Sequence, residues 1–194
     1  MTHIISSGRI FARPFEKGDA ELYRRWRADA EPMRLAGWTP SAPLSLAQVE
    51  ARIERLAAGE EKDFFTFLIC LVADERPIGE VMLAEIDRIH GSAELGIFIG
   101  EPAEWGKGYG TDAVNAIVDF GFGELRLERI WLNVWTDNPR ARRSYEKAGF
   151  VHEGTLRHDR YEGGRFTDGH VMAILRDEWR ALPHRAEAPP PADR

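Results

Sequence analysis

The chain has 194 residues, a length that fits a single domain. It carries 26 Lys and Arg against 32 Asp and Glu, a net charge of −6, whereas nucleic-acid-binding proteins usually carry a basic patch or stripe. The single cysteine, Cys70, excludes an intrachain disulfide, and the N-terminus shows no basic-then-apolar signal segment. We therefore expect a cytoplasmic protein that binds neither nucleic acid nor membrane.

Apolar periodicity, caps and turn residues predict the elements in chain order. A first strand spans 9–15, and two helices follow, capped by Asp19 and Ser45, with an irregular stretch at 32–43 between them. Three strands at 65–73, 78–86 and 93–100 form a meander. A helix at 110–122, a strand at 129–135, a short helix and two strands at 150–156 and 170–175 complete the order. The class is α/β with a mixed sheet.

A glycine-rich loop runs from Trp105 to Thr111, between a predicted strand and a predicted helix. Its glycines allow tight turns and expose backbone N–H groups, and the helix that follows presents its positive end. Such a loop can hold an anion such as a pyrophosphate, with help from Lys107 and the Thr111 hydroxyl. Taken alone, the pattern fits a tight turn equally well.

Two common nucleotide-binding loops do not match this segment. A Walker loop needs G-x-x-x-x-G-K followed by Ser or Thr, but Glu101 stands at the first glycine and Gly108 replaces the Ser or Thr. A Rossmann fingerprint needs G-x-G-x-x-G, and here the third glycine, Gly110, comes one residue early.

A second segment, from Asn138 to Phe150, places Ala141 and Tyr145 four residues apart, on one helical face. Considered singly, Asn138 is a helix cap, Tyr145 a core-edge aromatic and Gly149 a C-cap. The two segments together nevertheless resemble the GNAT acetyltransferase superfamily. Its coenzyme A loop, Q/R-x-x-G-x-G/A, matches Trp105 to Gly110, with Trp in place of Gln or Arg. Its second signature, N-x-x-A-x-x-L/Y-Y-x-x-x-G-F, matches residues 138–150.

Trp105, together with the segments at 8–15 and 154–179, is similar to the branch of ribosomal-protein alanine N-acetyltransferases. The resemblance implies a GNAT-like α/β fold, with a mixed, mostly antiparallel sheet of six to seven strands, about four helices and a splayed cleft between the two central strands. One acetyltransferase domain would occupy 1–184, followed by a disordered Pro-rich tail at 185–194. The implied cosubstrate is acetyl-CoA. The expected cofactor-binding residues are Ile97, Phe98, Ile99, Trp105, Gly106, Lys107, Gly108, Tyr109, Gly110, Thr111 and Asn138.

The implied reaction is direct attack of an amine on the thioester, with Tyr145 as general acid for the departing thiolate. Strand alternation places Glu94 on one face with Gly96 and Phe98, which makes Glu94 the first candidate base. Glu80 on the neighbouring strand is the second candidate. A surface role remains open for either carboxylate.

Several alternatives stay open at this level. The acceptor is a protein N-terminal α-amine or a small-molecule amine, selected by the loops at 33–46, which include Trp38, and at 157–168. A non-catalytic acyl-CoA-binding or sensing domain is the competing hypothesis, although such a domain would not need the proton donor Tyr145. The six histidines show no metal-like spacing, so no metal site is expected. Both a monomer and a homodimer are compatible with the sequence.

Overall fold

The structure, a computed structural model, describes residues 5–36, 44–58, 63–162 and 164–183. The expected tail at 185–194 lies outside the described residues, and so does Trp38.

Eight strands form one sheet in the order β1-β2-β3-β4-β5-β6-β8-β7. Every neighbouring pair is antiparallel except β5 and β6, which are parallel. The strands are β1 Ile5–Ser7, β2 Ile10–Arg13, β3 Phe65–Leu71, β4 Pro77–Asp87, β5 Ser92–Ile99, β6 Arg129–Trp135, β7 Val151–Glu162 and β8 Arg165–Leu175.

Within the described ranges six α-helices accompany the sheet, and side chains cap several of their N-termini. The Ser45 hydroxyl accepts a hydrogen bond from the Gln48 backbone N–H, and the Gln48 side-chain oxygen accepts one from the Ser45 backbone N–H. Asn138 caps another helix, with Pro139 in its first turn. The helices are α1 Ala20–Ala28, α2 Ala30–Leu35, α3 Leu46–Ala57, α4 Tyr109–Gly123, α5 Pro139–Lys147 and α6 Arg176–Arg180.

The two central strands separate soon after they begin. β5 pairs with β6 only over Ser92–Glu94, opposite 129–131. Beyond these residues β6 continues to pair with β8 as far as Trp135, while β5 stays paired with β4 up to Ile99. The sheet therefore opens between β5 and β6, which confirms the splayed cleft.

Each face of the sheet has its own buried cluster. On one face, α4 packs Val114 and Ile117 against strand residues such as Ile130. On the other face, α1 and α3 cover Phe98 with side chains that include Trp26 and Ile53. Burial of these apolar side chains fixes the helices on both sides of the gap.

The mixed α/β fold is confirmed; the described residues form eight strands rather than six to seven and six α-helices rather than about four. Helix α2 lies in a stretch expected to be irregular, because Asp29 caps it and Pro32 occupies its first turn, where a missing N–H costs little. The loop expected at 157–168 belongs mostly to β7 and β8. Among the described residues, no helix is both long enough and apolar enough to span a bilayer.

Candidate active site

A cavity of about 510 Å³ occupies the gap between β5 and β6. It is lined by consecutive residues of both strands, and consecutive residues of a strand point to opposite faces. The cavity therefore reaches both faces of the sheet. The expected site residues in its lining are Glu94, Ile97, Phe98, Ile99, Trp105, Gly106, Gly108, Tyr109, Gly110, Thr111, Asn138 and Tyr145. Lys107 is not among the described residues of the lining, and its ammonium donates a 2.9 Å hydrogen bond to the Glu104 carboxylate.

The cavity has two sides that differ in chemistry. The α4 side consists of the glycine-rich loop, the first turn of α4 and residues of α5. The α2 side consists of α2 residues together with strand residues on the face covered by α1, and its lining includes Pro32, Leu35, Ala36, Met82, Ala84, Glu94, Asn133 and Trp135. Two ligands can thus meet in the gap from opposite faces.

The glycine-rich loop adopts the strained turns that its sequence suggests. Gly106 has φ +77° and Gly108, the N-cap of α4, has φ +89°, a left-handed conformation that other residues adopt at a cost. The turn leads into the 15-residue helix α4, whose first N–H groups and positive dipole end face the cavity. This arrangement suits a phosphate group.

Arg9, which precedes β2, holds this loop in place, a role that no sequence motif indicates. Its guanidinium donates a 3.0 Å hydrogen bond to the Lys107 carbonyl and forms a 2.7 Å ion pair with Asp112. On the other side of the loop, the Trp105 indole N–H donates to the Ile99 carbonyl at 2.9 Å. The loop is thereby tied both to the β1–β2 turn and to the edge of β5.

Three cations on α5, Arg140, Arg143 and Lys147, also line the α4 side. Arg140 lies 4.3 Å above the Trp105 ring, and burial lowers the pKa of its guanidinium. Within the described part of the chain these three side chains form no ion pair, whereas Arg142 on the same helix pairs with Glu146 at 2.9 Å. These residues are spaced three and four apart, which puts the three cations on one helical face. That spacing is visible in the sequence and would have identified them as candidates.

Tyr145 is buried, with 7% of its surface exposed, and lines the α4 side. Its ring packs against Phe150 at a centroid distance of 5.9 Å. Burial raises the pKa of the phenol, because the charged form would lose its hydration. The Tyr145 hydroxyl therefore stays protonated throughout the neutral range.

The two candidate bases have different environments. Glu94 lines the α2 side, and burial, together with the charge of Glu85, raises the pKa of its carboxyl. Glu80 is only 2% exposed, and the Tyr23 hydroxyl lies 3.3 Å from its carboxylate. Burial raises the pKa of Glu80 to about 7. Glu80 is not among the described residues that line the cavity, so geometry favours Glu94.

Asn138 links the two sides of the cavity. Its Oδ1 accepts a 3.1 Å hydrogen bond from the Ala141 N–H, and its Nδ2 donates a 3.1 Å hydrogen bond to the Leu35 carbonyl at the end of α2. The neighbouring carbonyl of Arg34 accepts a 3.0 Å hydrogen bond from Arg160 of β7. The predicted cap is thus confirmed, and the cap side chain also fixes α2 beside the cavity.

Among the described residues, no group of three or more His, Cys, Asp or Glu side chains is arranged to hold a metal ion.

The family model of the acetyltransferase (GNAT) domain matches residues 9–151. The chain belongs to the GNAT acetyltransferases. The expected enzyme class, an N-acetyltransferase that uses acetyl-CoA, is confirmed by this match and by the relatives below.

Spermidine N(1)-acetyltransferase of Escherichia coli is 35% identical over 176 residues, which cover 91% of each chain. The protein of the same name from Vibrio cholerae is 40% identical over 107 residues, 55% of this chain and 61% of that relative. A crystal structure of spermidine N-acetyltransferase from Vibrio cholerae in complex with CoA and spermine superposes with a TM-score of 0.81 at 29% identity, covering 89% of this chain and 99% of that one.

Proposed function

We propose that this protein transfers the acetyl group of acetyl-CoA to a primary amine by direct attack within a ternary complex. The observation that carries the proposal is the gap between β5 and β6, which has a glycine-rich helix N-terminus and a buried tyrosine on one side and a carboxylate on the other. Donor and acceptor would enter from opposite faces and meet at the thioester. The acceptor is a protein N-terminal α-amine or a small-molecule amine.

The α4 side would hold acetyl-CoA. Beyond Glu94 the edge of β5 that faces the gap has no strand partner among the described residues. Backbone groups at 97–99 that bond neither to β4 nor to the Trp105 indole are therefore available to the pantetheine amides. The backbone N–H groups of 107–111 would bind the pyrophosphate. Arg140, Arg143 and Lys147 would neutralise further phosphate charge, since the structure leaves them without ion pairs in the described part of the chain.

The reaction needs two proton transfers and one acyl transfer. Glu94 would accept a proton from the amine, whose nitrogen attacks the thioester carbonyl carbon. A backbone N–H of 97–99 would stabilise the oxyanion. When the C–S bond breaks, the thiolate would take its proton from Tyr145, whose burial keeps it protonated. Positioned acid catalysis of this kind contributes about 10²–10⁴ in rate.

The cost of deprotonation bears on the acceptor. An α-amine with a pKa near 8 costs roughly 1.4 kcal/mol to deprotonate at pH 7, and a lysine-like amine near 10.4 costs roughly 4.6 kcal/mol. The raised pKa of Glu94 makes its carboxylate a stronger base than an exposed glutamate, which supports its assignment for either amine.

The test is release of free CoA from acetyl-CoA in the presence of spermidine or of a peptide that begins with alanine. Acetylation of either acceptor, with mass spectrometry locating the acetyl group on nitrogen, supports the proposal. Acetyl-CoA binding in calorimetry without transfer to any amine would favour the alternative, a non-catalytic acyl-CoA-binding or sensing domain. The single domain over 1–184, the cytoplasmic location and the monomeric or homodimeric state stay predictions.

A further inference from the structure

One polar side chain in the cavity has no task in the mechanism above. Asn133 lies on β6 and lines the cavity. Its Oδ1 is buried and has no hydrogen-bond partner among the residues that the structure describes. A buried carbonyl oxygen without a donor destabilises a fold, and an apolar residue of similar shape would avoid that loss. The amide can rotate about its Cβ–Cγ bond, and a ligand in the cavity would then supply the missing donor.

The strand register shows which side of the cavity Asn133 faces. Trp131 is the partner of Glu94 in the parallel pairing of β5 and β6, so these two side chains point to the same face. Asn133 follows Trp131 by two residues and therefore points to that face as well. It lies about 6.6 Å further along the strand, where β5 has already turned away. Asn133 and Glu94 thus flank the α2 side of the gap.

We propose that Asn133 binds the acceptor amine together with Glu94, an inference that rests on the proposed function. A neutral primary amine has two N–H bonds and one lone pair. One N–H would donate to Oδ1 of Asn133, and the other would donate to Glu94, which takes that proton as the C–N bond forms and the C–S bond breaks. Rotation about the Cβ–Cγ bond, which is broad for asparagine, turns Oδ1 towards the gap. The lone pair then points at the thioester carbon.

This geometry predicts a specificity. A neutral secondary amine has a single N–H, and Glu94 requires it. An N-methylated acceptor therefore has no second N–H to donate to Oδ1 of Asn133. Asn133 therefore accelerates transfer to a primary amine and not to its N-methyl counterpart. A purely structural role for Asn133 would change both rates by the same factor.

The experiment compares Asn133→Leu and Asn133→Ala with wild type and with Thr66→Val. Thr66 is a matched control because its Oγ1 is also buried and has no hydrogen-bond partner in the described part of the chain, while the residue lies outside the described cavity lining. The acceptors are spermidine, a peptide beginning with alanine, n-butylamine, and the N-methyl form of each reacting amine. The measured quantities are kcat/KM for each acceptor, the Kd of acetyl-CoA and the melting temperature.

We expect both Asn133 variants to lower kcat/KM for the primary amine about tenfold, the value of one lost hydrogen bond, with acetyl-CoA affinity unchanged and a melting temperature no lower than that of wild type. The rate for the N-methyl acceptor should stay the same, and Thr66→Val should change neither rate. An equal loss for both acceptors, or no loss for the primary amine, overturns the assignment. Failure of wild type to acetylate any acceptor while binding acetyl-CoA overturns the proposed function instead.

Discussion

Substitution of Gly108 by alanine tests the glycine-rich loop at its most constrained position. At φ +89° an L-residue costs about 1–2 kcal/mol relative to glycine. The added Cβ would also lie 2.9 Å from Nη2 of Arg9, so this guanidinium must move away from its contacts with Lys107 and Asp112. For a chain of this size each kcal/mol lowers the melting temperature by about 2–4 °C. We expect a decrease of about 4 °C.

The same methyl group stands at the N-terminus of α4, where the pyrophosphate would approach the backbone. We therefore expect the Kd of acetyl-CoA to rise at least tenfold, about 1.4 kcal/mol, in calorimetric titration. The control is Gly123→Ala in the last turn of α4, where a Cβ meets nothing within 4 Å. Gly123→Ala should bind normally and melt at the same temperature or slightly higher.

The two readouts for Gly108→Ala separate fold from function. If the melting temperature falls but acetyl-CoA binds as it does to Gly123→Ala, the loop is only a tight turn and the phosphates bind elsewhere. If neither quantity changes, the argument from the left-handed conformation is itself wrong.

Three further substitutions test the other assignments. Tyr145→Phe keeps the ring that packs on Phe150 and should lower kcat about 10²–10⁴-fold with the Kd of acetyl-CoA unchanged; unchanged turnover would remove Tyr145 as the acid. Arg143→Gln should weaken acetyl-CoA binding in calorimetry and reduce its dependence on salt, whereas Arg142→Gln, which breaks only a surface ion pair, should not; equal effects would contradict the lining assignment. Glu80→Gln should retain turnover, because Glu80 lies outside the described lining. In wild type, the unfolded chain releases the Glu80 proton near pH 4.5, whereas the folded protein releases it near pH 7. Between these two pH values the folded state binds more protons than the unfolded state. The free energy of unfolding therefore falls by about 3 kcal/mol as the pH rises from 4.5 to 7. In Glu80→Gln, denaturant unfolding between pH 4.5 and pH 8 should show no such fall in the free energy of unfolding. A fall of the same size would mean that another group causes it.

Local signals in the sequence were sufficient for much of the fold. Ser45 and Asn138 mark helix starts because a capping side chain acts on residues within one turn of itself. The spacing of Gly106, Gly108 and Gly110 predicted a loop that leads into a helix, and the structure has that loop at the start of α4. Such features depend on a few neighbouring residues and need no knowledge of the rest of the chain.

Other features depend on contacts between distant segments. Strand β7 is exposed along most of its length, so it lacks the alternation that would distinguish it from a loop, and its pairing with β8 determines its extent. Arg9 reaches a loop almost a hundred residues away. The role of Asn133 depends on where two strands part, which periodicity within β6 does not encode. Arg9 and Asn133 are therefore recognisable as candidates only from the three-dimensional arrangement of the sheet.

The opening between β5 and β6 also has a consequence for ligand design. Because the lining runs continuously from the α4 side to the α2 side, a single molecule can pass through the sheet. An acceptor amine joined by a short acetyl bridge to the sulfur of CoA would occupy both sides at once. Its second half would bind without a second loss of translational freedom, so it should bind more tightly than either substrate alone. The missing pairing between two strands thus provides a template for an inhibitor built from the two substrates.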